Sequence, residues 1–104
     1  MPTFGETIAE ARKRSGMTQK ELAAKLKKDD GTPISPQYLN DIEHDRRGAP
    51  PDGLLKQLGK TLNLDSDLLA YLAGRLPENL VDHRTDPSQV VEAFKAFRQK
   101  IRKG

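Results

Sequence analysis

Apolar positions along this chain recur at intervals of three and four, the period of an amphipathic helix, and no stretch alternates as a strand would. Phe4, Ile8 and Ala11 mark the first stripe, with Glu6, Glu10, Lys13 and Arg14 on the other side. Thr3 and Glu6 have the spacing of a capping box, and Gly16 stands where a helix ends on a left-handed residue. A first helix is therefore predicted over residues 3–15. Thr18 and Glu21 repeat the box ahead of Leu22, Ala23 and Leu26, and the paired Ala23 and Ala24 leave room for a neighbouring helix. Ser35 opens a third helix, with Pro36 at the first position, where a missing N–H is harmless. Ile34 and Leu39 have the spacing of a hydrophobic staple, and Leu39 and Ile42 form the core side.

Between the second and third helices, residues 28–33 read as a turn, since Asp29, Asp30, Gly31 and Pro33 all favour one. Leu54, Leu55, Leu58 and Leu62 predict a fourth helix over about 52–61, and Leu68, Leu69 and Leu72 a fifth over 66–73, closed by Gly74. Residues 77–86 are ambiguous: Glu78-Asn79-Leu80-Val81 can form one helical turn, while His83-Arg84-Thr85-Asp86 resembles a linker. A sixth helix over 87–103 has Asp86 as cap and Pro87 at its first position. Its apolar residues Val90, Phe94, Phe97 and Ile101 form a narrow seam, the kind that suits a partner helix. The expected class is all-α, divided into residues 1–76 and a linker with an amphipathic helix over 77–104.

Composition supports helices: 104 residues hold five aromatics, no tryptophan and no cysteine. That excludes disulfides and thiolate metal sites, and is compatible with a reducing cytoplasm. The N-terminus lacks a signal-peptide pattern, and no apolar run approaches the ~18 residues of a membrane span. The expected location is cytoplasmic, with no membrane partner.

A net charge of +3 alone says little. More informative are three basic clusters in the first half, Arg12-Lys13-Arg14, Lys25-Lys27-Lys28 and Arg46-Arg47. Each is readable as a solvated helix face, but they flank two capped helices joined by a turn, the arrangement of a helix-turn-helix. Helix N-termini attract phosphate, so Thr18, Gln19 and Ser35 are candidate contacts at two of them. The start of helix 3 is the part that enters a major groove. Gln37 can pair bidentately with adenine, and Asn40, on the same face, has the same chemistry. Asp41 and His44 extend that face; Asp41 can accept from cytosine or from a neighbouring side chain. Tyr38 can rest on the sugar-phosphate edge, and Lys27, Lys28, Arg46 and Arg47 are candidate phosphate anchors.

The runs Thr18-Gln19-Lys20-Glu21-Leu22-Ala23, Ser35-Pro36-Gln37-Tyr38-Leu39-Asn40-Asp41-Ile42-Glu43 and Arg46-Arg47-Gly48-Ala49-Pro50 resemble the phage-repressor/Cro-like family, also called the xenobiotic-response-element family. The resemblance covers about Phe4 to Leu72. It implies a five-helix lambda-repressor-like DNA-binding domain that binds palindromic double-stranded DNA as a dimer. It also implies a structural salt bridge between Arg12 and Glu43. Two departures stand out. The stretch from Lys27 to Ile34 is about six residues longer than the family turn, so a tilted or shifted helix 3 is expected, with the insert either a plain loop or a grip on backbone through Lys27 and Lys28. Asp45 stands where many members have glycine, so a different exit from helix 3 is expected.

No catalytic, cofactor or metal-ligating pattern emerges. Glu43-His44-Asp45 are neighbours that point in different directions on a helix, and His83 has no ligand-like company. The expected function is a sequence-specific transcriptional regulator, a repressor acting as a homodimer and controlled by abundance, a partner protein or cooperative binding. Two rivals stand beside it: an antitoxin that autorepresses its operon and binds a toxin or other regulator through its C-terminal segment, and a protein-interaction module of the same fold without DNA binding. The seam at Val90, Phe94, Phe97 and Ile101 has three readings: packing on its own domain, dimerisation, or a foreign partner.

Overall fold

Hydroxyl side chains start the first three helices. The computed structural model describes residues 1–77 and 79–103, so Glu78 of the expected single turn, Gly104 and the Lys103 side chain lie outside the described residues. The elements are α1 (Phe4–Arg14), α2 (Gln19–Lys25), α3 (Pro36–Glu43), α4 (Asp52–Leu62), α5 (Ser66–Leu72) and α6 (Pro87–Lys103), with no strand among the described residues. Thr3 Oγ1 accepts from the Glu6 N–H at 3.1 Å while the Glu6 carboxylate accepts from the Thr3 N–H at 2.9 Å. Thr18 and Glu21 do the same for α2, and the Thr18 backbone N–H holds the Glu21 carboxyl below its ordinary range. Ser35 accepts from the Tyr38 N–H at 3.0 Å. A hydroxyl cap is worth about 1 kcal/mol, so each boundary is marked locally, before any tertiary contact forms. Asp65 and Asp86 cap α5 and α6 in the same way, and α1 ends at Gly16 with φ +72.

The stripes of five helices meet in one core. Ile8, Leu22, Leu26, Leu39, Ile42, Leu58 and Leu69 are completely enclosed, joined by Phe4, Ala11, Ala23, Ile34, Leu54, Leu55 and Leu62. Leu68 is the exception to the expected stripe and points outward. Successive helical residues are rotated by about 100°, and in the short α5 the buried face is the one carrying Leu69 and Ala70.

The long connection between α2 and α3 is not an open loop. Lys27 and Pro33 form an antiparallel bridge, Lys28 N–H donates to the Thr32 carbonyl at 2.8 Å, and Ile34 N–H donates to the Leu26 carbonyl at 3.0 Å. The insert thus closes on itself, and the chain enters α3 beside the point where it left α2. Gln57 of α4 fastens the stem, accepting from the Lys27 N–H at 2.8 Å and donating to the Lys27 carbonyl at 3.0 Å.

The exit from α3 was expected to differ because Asp45 replaces glycine. Asp45 instead adopts the left-handed conformation a glycine would supply, at φ 55. Aspartate tolerates that region better than most residues because its short polar side chain can bond locally. Here the carboxylate has a larger task, accepting from the Gly5 N–H at 2.9 Å and the Thr3 hydroxyl at 2.6 Å at the start of α1. Close approach is possible because residue 5 has no side chain: a Cβ there would lie 2.4 Å from the Ile42 carbonyl oxygen and 2.6 Å from that of Glu43.

α6 contrasts with the rest. Its described side chains are all exposed, and Val90, Phe94, Phe97 and Ile101 keep 42%, 38%, 47% and 48% of their surface in solvent. Phe97 meets Tyr71 of α5 edge to face, with centroids 5.9 Å apart. The apolar seam therefore remains only partly covered by its own chain.

Gly5→Ala is expected to destabilise the protein by about 1–3 kcal/mol, the usual size of an overpacking penalty, despite alanine's higher helix propensity. Urea unfolding followed by far-ultraviolet circular dichroism checks this; an unchanged or raised midpoint would show that α1 and α3 can separate freely.

Candidate nucleic-acid interface

The site is assembled outward from a buried charge pair. α1 presents Arg12 on its inner side and α3 ends at Glu43, 31 residues later. The guanidinium grips the carboxylate bidentately, Nε to Oε2 at 2.6 Å and Nη2 to Oε1 at 3.0 Å, with side-chain exposures of 11% and 2%. Arg12 Nη1 also donates to the Met17 carbonyl at 2.9 Å, fixing the link into α2. One cation of the Arg12-Lys13-Arg14 cluster is thereby withdrawn from the surface, while Lys13 and Arg14 stay exposed.

From Glu43 a chain of polar side chains runs to the exposed face of α3. Gln19 Nε2 donates to Glu43 Oε1 at 3.0 Å, and Asn40 Nδ2 donates to Gln19 Oε1 at 3.3 Å. Arg46 Nη1 donates to Asn40 Oδ1 at 2.7 Å and to Asp41 Oδ1 at 3.2 Å. Gln37, fully on the surface, closes the series by donating through Nε2 to Asp41 Oδ1 at 3.0 Å. Five candidates from the sequence are therefore one connected set: Gln19, Gln37, Asn40, Asp41 and Arg46. Their shared anchor is the Arg12–Glu43 pair.

The other candidates are placed around that set. His44 holds its ring Nδ1 2.9 Å from the Asn40 carbonyl, which can only accept, so a hydrogen bond there takes its proton from Nδ1. Arg47 lies over the Tyr38 ring, 4.7 Å from its centroid, so one face of the half-buried tyrosine is already covered by a cation. The Thr18 and Ser35 hydroxyls are engaged as caps. Lys27 and Lys28 stand apart in the hairpin; the Lys27 backbone is tied to α4 through Gln57, and Lys27 Nζ turns back to the Ala24 carbonyl at 3.3 Å.

Three residues that shape the site had not been singled out for it. Asp45 locks the end of α3 to the start of α1, and Gln57 locks the hairpin. Arg75, beyond α5, donates to the carbonyls of Pro50 and Ala49 and reaches Asp52 at 3.2 Å, holding the segment that follows Arg46 and Arg47. Their partners lie 23 to 42 residues away, and no periodicity or local motif announces them. Among the described residues no cluster of acidic, histidine or cysteine side chains has the arrangement of a metal site, and no helix is long and apolar enough to cross a membrane.

Removing one member of a buried ion pair leaves the other charge unmatched, at about 3–5 kcal/mol. Arg12→Ala or Glu43→Ala is expected to lower unfolding free energy by that amount, whereas the combined Arg12→Met, Glu43→Leu chain should recover much of it. Equilibrium denaturation of the three variants provides the check, and additive losses in the double variant would contradict the coupling.

A family model described as helix-turn-helix matches residues 8–69. No curated protein matches the chain significantly. Among solved structures, a chain of the SinR protein/SinI protein complex superposes with a TM-score of 0.53 at 23% identity, covering 97% of this chain and 98% of its own. At that identity the likeness concerns the fold.

Proposed function

This chain belongs to the helix-turn-helix family, in its phage-repressor or xenobiotic-response-element branch, and from that membership we propose that it represses transcription by binding a pseudo-palindromic operator as a homodimer. The family makes it a DNA-binding regulator of all-α, lambda-repressor-like fold, with α6 as an additional C-terminal helix. In this reading residues 1–76 bind DNA and residues 77–104 carry association. The observation that carries it is the exposed polar face of α3, with Gln37 foremost, braced from behind by the buried Arg12–Glu43 pair. Such a face can enter a major groove with its side chains held ready, so less ordering is required on binding. Arg47, with Lys27 and Lys28 to one side, serves as a phosphate anchor. The N-terminus of α2 adds a phosphate contact through the N–H that Gln19 has left over.

The dimer reading rests on α6. A helix with Val90, Phe94, Phe97 and Ile101 half in solvent has the heptad-like seam that a second copy buries. Two copies so joined set their α3 helices about 34–36 Å apart, one turn of DNA. A second reading is favoured by the solved neighbour, whose complex contains two different proteins: the same seam receives a foreign regulator or toxin, and the free homodimer is the form that binds the operator.

Binding-site selection from a random duplex pool tests the reading directly, and a palindrome with half-sites one turn apart is the expected product. On the selected site, Gln37→Ala should cost about 1–3 kcal/mol and abolish the preference at one base pair per half-site. Arg47→Ala should weaken all sequences alike and make the salt slope shallower by about one unit; a loss confined to the selected sequence would make Arg47 a base reader. Replacing Phe94 and Ile101 by glutamate should convert the dimer to a folded monomer in sedimentation equilibrium, and a persisting dimer would move the association surface away from α6.

A further inference from the structure

The geometry points to Asp41 as the residue that makes Gln37 distinguish adenine from guanine, by fixing which end of the glutamine amide faces outward. The inference rests on the major-groove role proposed for α3. A carboxylate only accepts hydrogen bonds and a guanidinium only donates them, so the charged members dictate every amide orientation in the series. Glu43 requires the NH2 group of Gln19 to face it, which turns the Gln19 carbonyl toward the Asn40 NH2. Asn40 then presents its carbonyl to Arg46, as the guanidinium demands. Arg46 and the Gln37 NH2 both donate to Asp41 Oδ1. No amide in the set can flip without setting two acceptors or two donors against each other.

The consequence falls on the exposed end. With one N–H of Gln37 committed to Asp41, its carbonyl and its second N–H are left for the groove. That acceptor-donor pair matches the N6 amino group and N7 of adenine. Guanine offers O6 and N7, both acceptors, so the outward carbonyl meets O6 in repulsion. A glutamine free to rotate would escape this by turning its NH2 group outward; the Asp41 carboxylate, four residues along the helix with its side chain 21% exposed, opposes that turn. Asp41 acts through Gln37 and is a positioning residue.

The test uses full-length protein and the duplex obtained by site selection, with A·T or G·C at the base pair whose preference Gln37→Ala abolishes. The adenine-to-guanine affinity ratio there is expected to fall about tenfold in Asp41→Ala and Asp41→Leu, which offer no acceptor, while Asp41→Glu, which keeps a carboxylate, and Asp41→Asn, whose amide oxygen Arg46 holds in the same place, retain most of it. Affinity for unrelated DNA should not fall, since a negative charge is removed. Thermal melts monitored by circular dichroism confirm that each variant is folded. An unchanged ratio in Asp41→Ala, with Gln37→Ala still abolishing it, overturns the positioning role alone. A preference lost at a different base pair makes Asp41 a direct reader and also overturns it. If Gln37→Ala changes no preference anywhere in the site, the groove assignment of α3 fails, and this inference fails with it.

Discussion

The bidentate contact between Arg12 and Glu43 is the constraint on which the rest of the molecule depends. Two charges removed from water need near-ideal geometry and a full set of partners to be tolerated. Here Arg12 is satisfied by Glu43 and the Met17 carbonyl, and Glu43 by Arg12 and Gln19. No buried side-chain nitrogen or oxygen among the described residues is left without a partner. Because the members come from α1, α2 and α3, satisfying the pair fixes three helices relative to one another. Hydrophobic contacts hold those helices together but tolerate sliding; a forked salt bridge specifies direction as well as distance. The exposed face of α3 inherits that specification through Gln19 and Asn40.

A second junction works at the other end of α1. Asp45 occupies a backbone conformation that costs most residues about 1–2 kcal/mol, and its carboxylate accepts from Gly5 and Thr3. The absence of a side chain at residue 5 and the presence of one at residue 45 are thus complementary halves of one contact. α1 is tied to the end of α3 at its start through Asp45 and further along through Arg12, so the end of α3 cannot drift without disturbing the core.

Much of the fold was legible in the sequence because the signals were local. Thr3 with Glu6, Thr18 with Glu21, and Ser35 with Pro36 mark helix starts by their own hydrogen bonds, and the observed helices begin beside them. Leu68 was misplaced in the core because α5 is too short for periodicity to separate its faces. At the exit from α3 residue type is a poor guide to backbone conformation, since Asp45 adopts the left-handed form that glycine more often supplies. As for the candidate site, the residue types along α3 could be read from the chain, but their mutual bonds could not. Gln57, Arg75 and Asp45 act on partners distant in sequence, and a bond between two polar side chains leaves no periodic trace. Nor does spacing reveal that Arg46 faces Asp41 and Asn40 while Arg47 lies on Tyr38.

The closed stem between α2 and α3 has a consequence for how such a protein can vary. Its base is sealed by the bonds from Ile34 to Leu26 and from Lys28 to Thr32 and clasped by Gln57, so residues 29–31 can change in number or kind while the helices on either side keep their places. Loop closure entropy grows only slowly with length, and a longer tip adds little further penalty. The stem therefore acts as an insulated port: lineages can lengthen it, and experimenters can place a fluorophore or peptide tag at Asp29-Asp30-Gly31, without retuning α3.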